Sequence, residues 1–214
     1  MTRAGAVLWR EAQGLARAAA AVSPRAVGLP PLLFFTDPQR TPQPWRTAAA
    51  LPAGAAVVYR PFGAPEAERV AAQLRAATAD RGVRLLIGLD AELAERSGAD
   101  GVHLPERAVG QAGELRARRP DWLVTAAAHS ADALTATAAA GASAAVLSPV
   151  FAPGGASRGP ALGVEAFSRL AAAARLPVYA LGGVTADVTA QLRATGACGL
   201  AAVDGIVAAF GPSD

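Results

Sequence analysis

The chain has 214 residues and not one of them is lysine. All positive side-chain charge is therefore arginine, and no lysine Schiff base can form, which excludes the lysine-dependent aldol chemistry that many α/β enzymes use. Cysteine is almost as scarce. The single Cys198 rules out an internal disulfide framework, suits a reducing compartment, and reads as packing because its neighbours are small and apolar. Aromatic residues make up only 5%, and the arginines are dispersed, densest at 116–119 (RARR). A net charge of +3 spread in this way lacks the basic patch and stacking platforms of a nucleic-acid binder, so no nucleic-acid partner is expected. No apolar run reaches the length of a membrane span, and Arg10, Glu11 and Arg17 interrupt what would be the core of a leader peptide. These absences together lead us to expect a cytoplasmic protein with no membrane partner.

What is plentiful is small apolar sequence. Hydrophobic residues make up 52% and charged residues 17%, enough to build one substantial core. An alanine-rich helix is expected over 5–21, stopped by Ser23-Pro24, so residues 1–28 read as an N-terminal helical extension to a domain covering 29–214. From residue 32 onward, short apolar runs alternate with helical segments. The runs are 32–36, 55–59, 83–87, 101–104, 122–126, 144–147, 178–181 and 199–203. They lack polar alternation, as strands buried on both faces do. Eight such strands, each followed by a helix, predict a closed (β/α)₈ TIM barrel rather than an open doubly wound sheet. Thr36-Asp37-Pro38 also stands where a dinucleotide-binding sheet would carry its glycine cluster.

Reacting groups of such barrels sit at the C-terminal ends of the strands. Those ends hold Arg60, Asp90, His103, His129, Ser148, the Gly182-Gly183 pair, and Val203-Asp204-Gly205. The stretch 177–184 (PVYALGGV) is the most telling. A buried strand closes on two glycines, exposing backbone N–H groups to an anion. A second turn of this kind follows at 203–205, and two in succession fit the phosphate site after strands seven and eight. The plainer alternative is that the glycines only make tight turns.

Several segments in order resemble the thiamine-phosphate synthase and thiazole tautomerase (TenI-like) superfamily: GADGVHL at 98–104, AAAHSADAL at 126–134, GASAAVLSPVF at 141–151, ALGGVTADV at 180–188 and TGACGLAAVDGI at 195–206. The resemblance implies a barrel acting on a small phosphorylated thiazole, and it leaves homo-oligomer formation open. The synthase joins hydroxymethylpyrimidine diphosphate to thiazole phosphate with Mg²⁺; the tautomerase isomerises a thiazole carboxylate phosphate and requires no cofactor. Much of the synthase equipment is missing. Where the family has Gln, Arg and Lys at alternate positions, this chain has Val58, Arg60 and Phe62. Its Asn-Asp pair is Leu89-Asp90, its second metal aspartate falls among 105–108 where only Glu106 is acidic, and its strand-five serine is Ala127. The Thr–Lys loop after strand six becomes 152–160, with Arg158 as its one cation.

These losses favour the tautomerase branch, with His129 as acid–base because an imidazole donates and accepts near neutral pH. A histidine binding only backbone at a helix start is the alternative for His129. Arg60, Ser148, Arg158, Gly182, Gly183, Val203, Asp204 and Gly205 are expected to hold substrate and phosphate, and Asp90 to bind metal only in a synthase. His103 is expected to point into the same mouth in a structural role. Asp204 replaces the family's phosphate-binding serine, and either caps its helix from within the anion site or turns outward. Three readings remain: a tautomerase, a divergent synthase, and a non-catalytic binding barrel.

Overall fold

In a computed structural model of the chain, residues 1–152 and 160–212 are described. Eight parallel strands close into a barrel in sequence order: β1 (Leu32–Phe35), β2 (Ala56–Tyr59), β3 (Arg84–Gly88), β4 (Gly101–Leu104), β5 (Leu123–Ala128), β6 (Ala144–Leu147), β7 (Val178–Leu181) and β8 (Gly199–Ala202). The expected barrel is therefore the observed one. Closure comes from β1 pairing with β8, with Leu32, Leu33 and Phe34 opposite Leu200, Ala201 and Ala202.

The two-residue alternation of a strand splits the core in two. Outward residues such as Leu32, Phe34, Val57, Leu85, Val102 and Val124 pack under the helices. Inward residues such as Leu33, Phe35, Val58, Leu86, Val146 and Tyr179 fill the barrel. Both sets are apolar, which is why the strands read as continuous hydrophobic runs.

Helices α2 (Pro44–Ala48), α3 (Ala67–Thr78), α4 (Ala91–Arg96), α5 (Ala112–Arg118), α6 (Ala131–Ala139), α7 (Gly163–Ala173) and α8 (Asp204–Phe210) cover the sheet. The connection from β7 to β8 departs from the expected pattern. It carries only a 3₁₀ turn, Thr189–Leu192, in place of a helix. Thr185, Val188 and Thr189 are β-branched and crowd a helical turn, and Gly196 follows in left-handed backbone at φ 83°.

The N-terminal helix α1 (Arg3–Val22) lies on this side of the barrel, contacting α8, β8, β1 and the 3₁₀ turn. Its start is fixed twice by Thr2, whose hydroxyl accepts from the Gly5 N–H at 3.0 Å and donates to the Ala209 carbonyl at 2.6 Å. Its middle is fixed by Glu11, buried at 7% exposure, which receives both Nε (2.7 Å) and Nη2 (2.6 Å) of Arg193. That fork ties α1 to the segment where a helix is missing.

The Arg193 hydrogen bonds hold the Glu11 carboxyl below its usual pKa. A carboxylate depressed in the folded state stabilises above its unfolded pKa, and that contribution is lost as pH falls through the folded value. Arg193→Ala should therefore lower stability at neutral pH, read as a lower denaturation midpoint, because it strips the Glu11 carboxylate of its charged hydrogen bonds. It should also flatten the acid side of a denaturation-midpoint-versus-pH curve. Identical curves for both proteins would show that the fork contributes nothing.

Candidate active site

Strand parity delivers the site. Inward-facing Phe35, Val58, Thr125 and Val146 are followed two, two, four and two residues later by Asp37, Arg60, His129 and Ser148. These side chains reach the C-terminal mouth together. Arg60, His129 and Ser148 line a cleft of about 500 Å³ with Arg40, Gly183 and Asp204. Val203, Gly182 and Gly205 border it as well. A groove of about 600 Å³ between α6 and α7 lies away from the strand ends, and half of its lining residues are alanines. The mouth is where polar groups converge.

Arg60 is held rigidly. Its backbone N–H donates to Thr36 Oγ1 at 3.0 Å and its Nε to the Thr36 carbonyl at 2.7 Å. The guanidinium lies 5.5 Å from the Phe35 ring centre and 5.2 Å from that of Phe62. Burial pushes the Arg60 pKa down and Asp37 opposes that shift, yet arginine stays charged in proteins. Among the described residues, Nη2 is buried without a hydrogen-bond acceptor, its nearest anion being Asp37 at 3.8 Å. Donor capacity thus remains for a ligand.

Below it, His103 sits inside the barrel rather than in the mouth, correcting the expectation that it points there. Its Nδ1 pairs with Thr125 Oγ1 at 2.9 Å and its ring meets Phe35 edge-on at 4.9 Å between centroids. Burial, with Arg60 adding to it, pushes the His103 pKa down to about 3, so it is neutral at physiological pH. A neutral imidazole there adds no second buried cation beneath Arg60.

Arg40 is the residue that sequence reasoning missed. Asp37 Oδ1 accepts the backbone N–H groups of Gln39 at 3.1 Å and Arg40 at 3.2 Å, folding the loop after β1 back over the mouth. Arg40 then bridges two carboxylates, Asp37 at 3.3 Å and Asp204 at 2.9 Å. Burial raises the Asp37 pKa, but the N–H and guanidinium of Arg40 outweigh it and hold the carboxyl low. The Asp-Pro turn followed by an arginine three residues on was the available signal. Asp204 makes no capping bond to its helix; its carboxylate turns to Arg40 instead.

His129 is oriented from both ends. Its N–H donates to Glu106 Oε2 at 3.1 Å, and its Nδ1 lies 2.8 Å from the Ser148 carbonyl. A carbonyl only accepts, so Nδ1 carries the proton and Nε2 presents a lone pair when the ring is neutral. The helix start does not need this imidazole, because Ser130 Oγ already accepts the Ala133 N–H at 3.1 Å. Gly182 and Gly183 adopt φ 101° and 61°. A Cβ at Gly183 would sit 2.7 Å from the Ala152 carbonyl oxygen and from Phe151 Cβ, so close packing on the loop after β6 requires both glycines. That leaves the turn reading and the anion reading compatible. Among the described residues, the Gly183 N–H has no acceptor.

Comparison with known proteins decides the family. The sequence profile of the family described as "Thiamine monophosphate synthase" matches residues 32–206. The chain belongs to this family. It is 36% identical over 138 residues to the thiamine-phosphate synthase of Methanoculleus marisnigri, covering 64% of this chain and 65% of that protein. With the Xanthomonas campestris thiamine-phosphate synthase the identity is 37% over 163 residues, covering 72% and 75%. A Pyrococcus furiosus thiamine phosphate pyrophosphorylase superposes with a TM-score of 0.72 at 22% identity, over 90% of this chain and 92% of that one, which shows the fold.

Within the family frame, the donors for magnesium do not fit. Asp90 caps α4, its Oδ1 accepting the Leu93 N–H at 2.8 Å, and Glu106 is engaged by His129. Leu89, where the resemblance implies asparagine, holds left-handed backbone at φ 66° with no oxygen to offer. Among the described residues no group of three or more His, Cys, Asp or Glu could hold a metal. No described helix is long and apolar enough to cross a membrane. Arg158 lies outside the described residues, as does most of the loop expected to carry it.

Gly183→Ala tests how tightly this rim is built. The added Cβ meets backbone oxygen in left-handed geometry, so stability should fall by about 1–3 kcal/mol, read as a lower denaturant midpoint. An unchanged midpoint would show the loop after β6 yielding freely.

Proposed function

We propose that the chain is a thiamine-phosphate synthase in which arginine replaces the family's lysine and metal at the departing diphosphate. The observation that carries this reading is Arg60, preorganised between two aromatic rings with an unused buried donor. Arg40 lines the same cleft and shares the Asp37 carboxylate with Arg60, and the named relatives are synthases. In the reaction, the bond between the pyrimidine methylene carbon and the diphosphate oxygen breaks. The thiazole nitrogen lone pair forms the new C–N bond, and pyrophosphate leaves with the electron pair. What this chain must supply is charge complementarity to that leaving group, held in place before it departs. Arg60 provides it, and Arg40 with the Gly183 N–H receives the thiazole phosphate. No step is routed through magnesium, since the donor set does not fit it.

The test is formation of thiamine phosphate from hydroxymethylpyrimidine diphosphate and thiazole phosphate. Product should form with a metal chelator present, and Arg60→Gln should lower the rate by roughly 10²–10³-fold, the usual cost of one preorganised donor. No condensation by the folded protein would overturn the proposal.

The geometry of His129 favours a second reading, a thiazole tautomerase, because its free Nε2 is a poised base. On that reading, His129→Asn should reduce isomerisation of the thiazole carboxylate phosphate by roughly 10²–10⁴-fold while leaving its binding intact. Condensation with undiminished rate in His129→Asn supports the synthase; turnover only of the carboxylate substrate supports the tautomerase.

A further inference from the structure

An anion site that contains a carboxylate is an unusual construction, and it makes a chemical demand on the anion. Asp204 borders the cleft beside Val203 and Gly205. One oxygen, Oδ2, receives Arg40 Nη1 at 2.9 Å, and the side chain remains 58% exposed. Among the described residues Oδ1 has no hydrogen-bond donor. A fully ionised oxyanion placed against Arg40 and the Gly183 N–H would meet this free oxygen as a like charge. A phosphate that retains one proton would instead donate an O–H to it.

We propose that Asp204 selects the singly protonated phosphate monoester, accepting its O–H while Arg40 donates to the same group. The carboxylate thus serves as a recognition element for the proton and discriminates against anions that have none. This rests on the reading of the cleft as a phosphate site. Charge-assisted hydrogen bonds are short and strong, and an acceptor facing an anion without a proton is left unmatched. Around the cleft the other charged or titratable side chains among the described residues are Asp37 and Arg40 from the loop after β1, Arg60 from β2 and His129 from β5. Helices α1 and α2, which pack on α8, contribute no side chain to its lining.

Methyl phosphate and methyl sulfate separate this effect from simple charge. Below the second ionisation of a phosphate monoester, at about pH 6, both are monoanions of one shape, and only the phosphate carries a proton. By calorimetry at acidic pH the protein should bind methyl phosphate roughly ten- to hundredfold more tightly than methyl sulfate. Its methyl phosphate affinity should fall as pH rises and the ester loses that proton. In Asp204→Ala the preference should shrink to within about threefold, and the pH slope should vanish or reverse, because the dianion then no longer meets the Asp204 carboxylate. His129 also lines the cleft, so both slopes are measured again in His129→Asn, where the difference between Asp204 and Ala should persist. Equal affinity for the two anions in the unaltered protein, or an unchanged preference in Asp204→Ala, overturns the selection by Asp204 while leaving the phosphate site standing. If neither anion binds either protein, the phosphate reading of the cleft fails, and this inference fails with it.

Discussion

Everything at the mouth depends on the pairing of β1 with β8. Closing the sheet fixes which alternate residues face inward, and a one-residue slip would send the functional set outward into the helical layer. With Leu33 opposite Ala201, Phe35 faces inward, and the same parity carries Asp37 to the rim. Parity along the other strands brings Arg60, His129 and Ser148 to the same opening. The apolar filling below is therefore a platform, and its top layer, Phe35 with neutral His103 beneath Arg60, supports the charge above it.

On that platform the mouth is built from alternating charges. Asp37, Arg40 and Asp204 form a chain of ion pairs, and Arg60 adjoins it through Asp37. Exposed pairs of this kind add little to stability, since solvent screens them and side-chain order is lost entropy. Their effect is positional: they hold two guanidinium groups at one cleft in a chain with no lysine to share the task. The same economy explains α1. Glu11 and Arg193 couple it to the short connection that replaces a helix, so the barrel wall beside β8 is covered by the chain's first segment.

Much of this was legible in the sequence, and the parts that were not have two causes. Strands such as β2 and β6 are runs of alanine and branched aliphatics, with Tyr59 closing β2, so burial on both faces identifies them without further context. Arg60, His129 and the glycine pair were legible because strand ends mark the mouth of a barrel. The missing helix after β7 was harder, because its sequence keeps helical composition while its β-branched residues fall in one turn. Arg40 was missed for a different reason, since its Asp-Pro turn signals a fold of the loop but not the partner it reaches. Its partner Asp204 lies 164 residues away, and the contact exists only because Asp37 curls the intervening loop. For the same reason, the outward turn of Asp204 could be posed as an alternative but not chosen.

The central claim is that this mouth binds a phosphorylated thiazole between Arg40, Arg60 and the turn after β7. The most direct test is a crystal structure with thiazole phosphate bound. The account predicts phosphate oxygens within hydrogen-bonding distance of the Gly183 N–H and the Arg40 guanidinium, with the thiazole ring directed toward His129 and Arg60. Phosphate density in the groove between α6 and α7, with the mouth unchanged at saturating ligand, would contradict it.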